Sequence, residues 1–153
     1  MKHTDTSGNC ISHAEGVLPD RVLIVEDDAI LAVTIEMTLR DAGIHDIEMC
    51  STTEMALVAL REKQPDAIVL DVHLADRDDG WTIAELVRSL GPNSPRIVFS
   101  TGAPRDIPQD IAELGCVLEK PYDPETLVDV LREPRRRGII SVSYTHLTLP
   151  TKA

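Results

Sequence analysis

The chain has 153 residues, enough for one domain with a sizeable core and too few for two ordinary ones. A net charge of -11 argues against nonspecific binding to nucleic acid or anionic membrane surfaces, and it leaves room for a cluster of acids that needs a cation. Cys10, Cys50 and Cys116 are odd in number and lack paired metal spacing, which argues against a disulfide framework or a zinc site.

Residues 1–20 are polar and without period, and read as a disordered leader with no signal-peptide core. No stretch is long enough to cross a bilayer, so a cytoplasmic setting is the expectation. Arg21-Val22-Leu23-Ile24-Val25 is a first buried strand, and it runs into Glu26-Asp27-Asp28. From Ala29 the period changes: Ile30, Leu31, Ile35, Leu39 and Ala42 mark one face of a helix closed by Gly43. Ile44 to Cys50 alternates loosely, as a strand near a sheet edge would. Ser51-Thr52-Thr53-Glu54 has capping-box spacing, and Ala56, Leu57, Ala59 and Leu60 follow at helical spacing.

After Pro65 comes Ala67-Ile68-Val69-Leu70-Asp71, a continuous apolar run ending in a carboxylate. Such a run fits a strand buried on both faces, as in a parallel sheet. A third helix is expected from Trp81 through Ile83, Leu86, Val87 and Leu90, stopped by Gly91-Pro92. Arg96 to Ser100 is a fourth buried strand, ending in Thr101-Gly102. The proline-bearing stretch that follows allows a short helix at most, near Gln109 to Leu114. Cys116-Val117-Leu118-Glu119 is a fifth strand, ending in Lys120-Pro121. Asp123-Pro124-Glu125 then supplies an N-cap, a first-turn proline and an acid for a last helix carrying Leu127, Val128 and Leu131. Strands alternating with helices imply right-handed crossovers and a doubly wound α/β sandwich around a parallel sheet.

Past residue 133 the chain reads as a tail. Residues 141–153 show neither period nor capping logic, and Val142-Ser143-Tyr144-Thr145-His146-Leu147 resembles one reading frame of a transposon-end adapter used in sequencing libraries. That segment is expected to be non-native, with the natural chain continuing beyond Arg137. Arg135-Arg136-Arg137 reads as a solvated tail or linker rather than a nucleic-acid patch.

The strand ends carry the chemistry. In a parallel sheet every strand's carboxyl end lies on one edge, where open α/β sheets place their ligand sites. Glu26 and Asp27 from the first strand, Asp71 from the third, Thr101 from the fourth and Lys120 from the fifth can therefore converge. Three carboxylates brought together repel one another unless a cation intervenes, and a hard divalent ion such as Mg2+ takes oxygen ligands while keeping waters. A carboxylate in such a site can act as nucleophile toward a phosphoryl group, with the metal and Lys120 neutralising charge. The bland alternative for Asp71 is a turn-capping acid. For Asp28 the capping role is the expected one.

Val22-Leu23-Ile24-Val25-Glu26-Asp27-Asp28, Ile68-Val69-Leu70-Asp71, Val98-Phe99-Ser100-Thr101-Gly102 and Leu118-Glu119-Lys120-Pro121 together resemble the receiver domain of two-component response regulators, over residues 21–133. The resemblance implies a CheY-like sheet of five strands in the order 2-1-3-4-5. It also implies that Asp71 is the phosphoacceptor, that Asp27 binds the metal directly and that Glu26 acts through water. By the same resemblance the backbone carbonyl of His73 is the remaining protein ligand, Thr101 turns toward the phosphate, Lys120 pairs with it, and Lys120-Pro121 is cis. The implied cofactor is Mg2+, and the implied partner is a histidine kinase or a histidine phosphotransfer protein. The implied role is a phosphorylation-dependent switch in partner binding rather than an enzyme with turnover.

Some positions depart from the family pattern. Val117 stands where many receivers carry an aromatic switch residue. Phe99-Ser100-Thr101-Gly102 resembles a subgroup marked by Phe-Ala-Thr-Gly on the fourth strand, with Ser100 for Ala and Pro104 where a Tyr is expected. Asp76 to Gly80 is a longer loop than many receivers have. The His73 side chain is expected to face solvent beside the site, Trp81 to pack at the start of the third helix, and Cys116 to be a small core residue. The main alternative is a Mg-dependent phosphatase of haloacid dehalogenase type, which wants Asp-x-Asp where this chain has Glu26-Asp27-Asp28. A Toprim-type nuclease wants a second acid at His73. A flavin-binding relative wants a hydroxyl- and glycine-rich loop after the first strand.

Overall fold

The structure, a computed structural model, describes residues 16–73 and 81–132. Residues 1–15, the loop at 74–80, the Trp81 side chain and the segment 133–153 lie outside the described residues. With them lie the expected leader disorder, the length of the loop after Asp71, the packing of Trp81, the Arg135 to Arg137 run and the adapter-like tail.

Among the described residues the elements alternate as β1 (Arg21–Val25), α1 (Ala29–Asp41), β2 (Asp46–Cys50), α2 (Thr53–Glu62), β3 (Ala67–Asp71), α3 (Trp81–Arg88), β4 (Arg96–Thr101), α4 (Gln109–Ala112), β5 (Cys116–Glu119) and α5 (Pro124–Arg132), with a 3-10 turn at Pro104–Asp106. The five strands pair in parallel in the order β2-β1-β3-β4-β5. β3 lies at the centre and is buried along its whole length, as its unbroken apolar run requires. β2 forms an edge and carries the mixed burial that its loose alternation implies.

Because side chains alternate across a strand, each strand feeds two cores. Leu23, Val25, Ile68, Leu70, Ile97, Phe99 and Val117 pack with residues of α2, α3 and α4 on one face. Val22, Ile24, Val69, Val98, Cys116 and Leu118 pack with residues of α1 and α5 on the other. The fourth helix is one turn long, as the two prolines before it imply. Gly43 and Gly91 end the segments after α1 and α3 with positive φ of 111° and 87°, a conformation that a Cβ disfavours.

Several local expectations shift. Ile30 does not join the buried face of α1: it is 79% exposed, and Ala32, Ile35 and Leu39 are the buried residues. The cause is the cap: Asp28 accepts from the backbone N–H groups of Ile30 and Leu31, which puts Ile30 in the first turn on the outer side. In α2 the N-cap is Thr52 rather than Ser51, its hydroxyl accepting from the Met55 N–H at 3.1 Å. α3 ends at Arg88, short of Leu90, which is exposed. Leu18, within the segment read as leader, packs against the α1–α5 face of the core. Lys120-Pro121 is cis.

Candidate functional site

The carboxyl edge of the sheet gathers the residues expected there. Glu26 follows β1 directly, Asp71 closes β3, Thr101 closes β4, and Lys120 follows β5. One oxygen from each of Glu26, Asp27 and Asp71 can lie within 4.8 Å of the others. Asp71 is 5% exposed and Glu26 is equally buried, whereas Asp27 faces solvent. Two of the acids are therefore seated in the protein, and the third faces solvent.

Hydrogen bonds fix the buried acids. Asp71 Oδ1 accepts from the His73 N–H at 3.0 Å, and Glu26 Oε2 accepts from the Asp28 N–H at 3.2 Å. The Lys120 ammonium donates to Glu26 Oε1 at 3.0 Å and to Asp71 Oδ2 at 3.5 Å. Burial and the neighbouring Asp71 charge push the Glu26 carboxyl up to about 7, against the opposing pull of Lys120 and the Asp28 N–H. Burial draws the Lys120 pKa down, but its hydrogen bonds and the charges of Glu26 and Asp71 outweigh this, so it is raised. Among the described residues three carboxylates face one ammonium, and an excess of negative charge remains. The donor set is all oxygen and partly open to solvent, which fits a hard divalent cation that keeps several of its waters.

Thr101 is fully buried, and its Oγ1 accepts from the Ala103 N–H at 2.9 Å. Its carbonyl accepts from the Lys120 N–H at 2.7 Å, which ties the end of β4 to the residue that spans the acids. The His73 side chain is half exposed at the rim, its Nε2 3.8 Å from Asp106 Oδ2 on the 3-10 turn. Asp28 turns away from the cluster to cap α1.

Sequence reasoning missed one pair beside this site. Ser100 Oγ lies 2.8 Å from the Tyr122 hydroxyl. The available signal was a serine following the apolar run Ile97-Val98-Phe99 in a buried strand, because a buried hydroxyl has to find a partner.

An open parallel α/β sheet whose carboxyl edge joins three acids, a lysine and a buried threonine is the class of protein defined by this fold and site. The family described as the response regulator receiver domain matches residues 22–132. The probable transcriptional regulatory protein TcrX of Mycobacterium tuberculosis is 33% identical over 130 residues, covering 81% of this chain and 53% of its own. The sensory transduction protein LytT of Bacillus cereus is 29% identical over 129 residues, covering 82% of this chain and 51% of its own. The chain thus spans about half the length of the curated relatives it matches. Among solved structures, a CheY-like receiver domain from Methylobacillus flagellatus is 28% identical with a TM-score of 0.64, over 73% of this chain and 95% of that one. A response regulator from Chloroflexus aurantiacus is 31% identical with a TM-score of 0.62, over 74% and 98%. The chain belongs to the response regulator receiver domain family of two-component systems. Nothing in these likenesses supports the haloacid dehalogenase alternative.

Proposed function

We propose that this receiver domain accepts a phosphoryl group on Asp71 and switches partner binding as a result. The observation that carries the reading is one cluster: Glu26, Asp27 and Asp71 offer oxygens within 4.8 Å of one another, and Lys120 reaches two of the three. The donor is a phosphohistidine on a histidine kinase or a histidine phosphotransfer protein. A carboxylate oxygen of Asp71 attacks phosphorus, the P–N bond breaks as the P–O bond forms, and the departing imidazole takes up a proton. The His73 N–H holds Oδ1, which fixes the plane of the carboxylate for in-line attack.

Asp27 and Asp71 would hold Mg2+ directly with the His73 backbone carbonyl, and Glu26 would act through water. When bound, the cation neutralises the carboxylates and the incoming phosphoryl oxygens. Lys120 then pairs with the new phosphate, and the Thr101 hydroxyl turns from the Ala103 N–H toward it. The domain is a switch with slow hydrolysis of its acyl phosphate, working in the cytoplasm. Among the described residues no helix is long and apolar enough to cross a membrane.

The test is phosphorylation by acetyl phosphate in the presence of Mg2+, followed by intact mass. Wild-type protein gains one phosphate and Asp71→Asn gains none. Labelling of Asp71→Asn at the wild-type level overturns the reading, and steady turnover of many phosphate esters would favour a phosphatase instead.

A further inference from the structure

Ser100 is fully buried and is the register partner of Asp71 across β3–β4 and of Leu118 across β4–β5. Its hydroxyl and that of Tyr122 share a hydrogen bond of 2.8 Å in which either can donate. Tyr122 packs on the α1–α5 side of the core, two residues before α5 begins at Pro124. Burial pushes its phenol up to about 12, eased by the Ser100 bond and reinforced by the charges of Glu26 and Asp71. The adjoining residue of β4, Thr101, is held to the same loop through the Lys120 N–H.

β4 also grips α5 at its far end. Arg96, the first residue of the strand, donates from Nη1 to the Leu131 carbonyl at 2.7 Å and from Nη2 to the Val130 carbonyl at 2.9 Å. The planar guanidinium thus forks onto two successive carbonyls at the end of the described helix. One strand thus bonds both to the lead into α5 and to its last described turn. Val117, where many receivers carry an aromatic switch residue, is a buried aliphatic side chain with no polar atom to join such a relay.

We propose that Tyr122 is a positioning residue that links Asp71 to α5: through Ser100 it sets the end of β4, and Arg96 makes the other end of α5 follow the same strand. The proposal rests on the reading of Asp71 as phosphoacceptor. When Thr101 turns toward the phosphate, the neighbouring Ser100 shifts with it, and Tyr122 passes that shift to the first turn of α5. The helix responds as one body because its last turn is tied to the same β4.

The experiment uses the full chain with acetyl phosphate and Mg2+, reading the label by intact mass and the amide hydrogen exchange of residues 125–132. In wild type, phosphorylation changes exchange in α5. Tyr122→Phe keeps the ring and Ser100→Ala keeps the strand. Each is expected to take up phosphate like wild type, yet to show an exchange response about threefold smaller, the scale of one neutral hydrogen bond. The double variant loses no more than either single one. A merely structural hydroxyl would alter protection equally with and without phosphate. A full response in either variant overturns the proposal, as does a phosphorylated wild type whose α5 does not respond. An unlabelled wild type removes the phosphoacceptor reading and this proposal with it.

Discussion

The Lys120 ammonium lies closer to Glu26 than to Asp71, at 3.0 Å against 3.5 Å. The lysine that the family resemblance assigns to the phosphate is thus resting on an acid assigned to the metal. Its ammonium already offsets part of the acids' charge, so a divalent ion at the proposed site would have to work against it.

Replacing Lys120 with Met should therefore tighten Mg2+ binding, by about tenfold for removal of one positive charge a few ångströms from the ion at the protein surface. Isothermal titration calorimetry measures this directly. An unchanged or weaker affinity would mean that Lys120 does not oppose the metal. The same variant should accept phosphate from acetyl phosphate poorly despite its better metal binding.

Glu26 makes metal-free stability depend on pH. Its carboxyl titrates near 7 in the folded protein against an ordinary value of 4.5, so between these values the native chain holds a proton that the unfolded chain has lost. Stability then falls as pH rises through that window, by up to about 3 kcal/mol, and is flat above it with respect to this group. Urea midpoints in the presence of a chelator, at about pH 5 and about pH 8, should show the fall. Mg2+ should restore stability at the higher pH, and Glu26→Gln should remove most of the slope.

Asp28 lies next in sequence to two proposed metal-site acids but is bonded to its own helix. Asp28→Ala should cost about 1 kcal/mol through loss of the α1 cap, seen in the denaturant midpoint. Phosphorylation of Asp71 should persist. A collapse of Mg2+ affinity in this variant would make Asp28 a ligand after all.

Gly43 has open space around it, so its conformation alone is at issue. With φ at +111°, Gly43→Ala should cost about 1–2 kcal/mol in thermal or urea unfolding, with Mg2+ affinity unchanged. An unaffected midpoint would show that the turn relaxes freely.

The sheet was legible because each central strand is an apolar run with its own stop, and parallel pairing then forces the strand ends together. That logic placed Glu26, Asp27, Asp71, Thr101 and Lys120 on one edge without any distance being known. What resisted reading depends on contacts between elements. The exposure of Ile30 follows from where the Asp28 cap starts the helix, which periodicity alone cannot fix to one residue. The forks of Arg96 onto Val130 and Leu131 span more than thirty residues of sequence. The preference of Lys120 for Glu26 is a matter of half an ångström. Ser100 and Tyr122 each look ordinary until the fold brings them together.

Gly16 lies so close to the Arg132 carbonyl that a side chain there would have no room. Arg132 ends α5 beside the start of β4, at the amino edge of the sheet, and Gly16 leads toward β1 at that same edge. The two leads of the domain thus emerge together, about a strand's length, roughly 17 Å, from Asp71. The domain works like a plug with both wires at its back and its contacts at its front. A fluorescent or affinity tag joined at either lead should therefore leave phosphate uptake from acetyl phosphate unchanged, as read by intact mass.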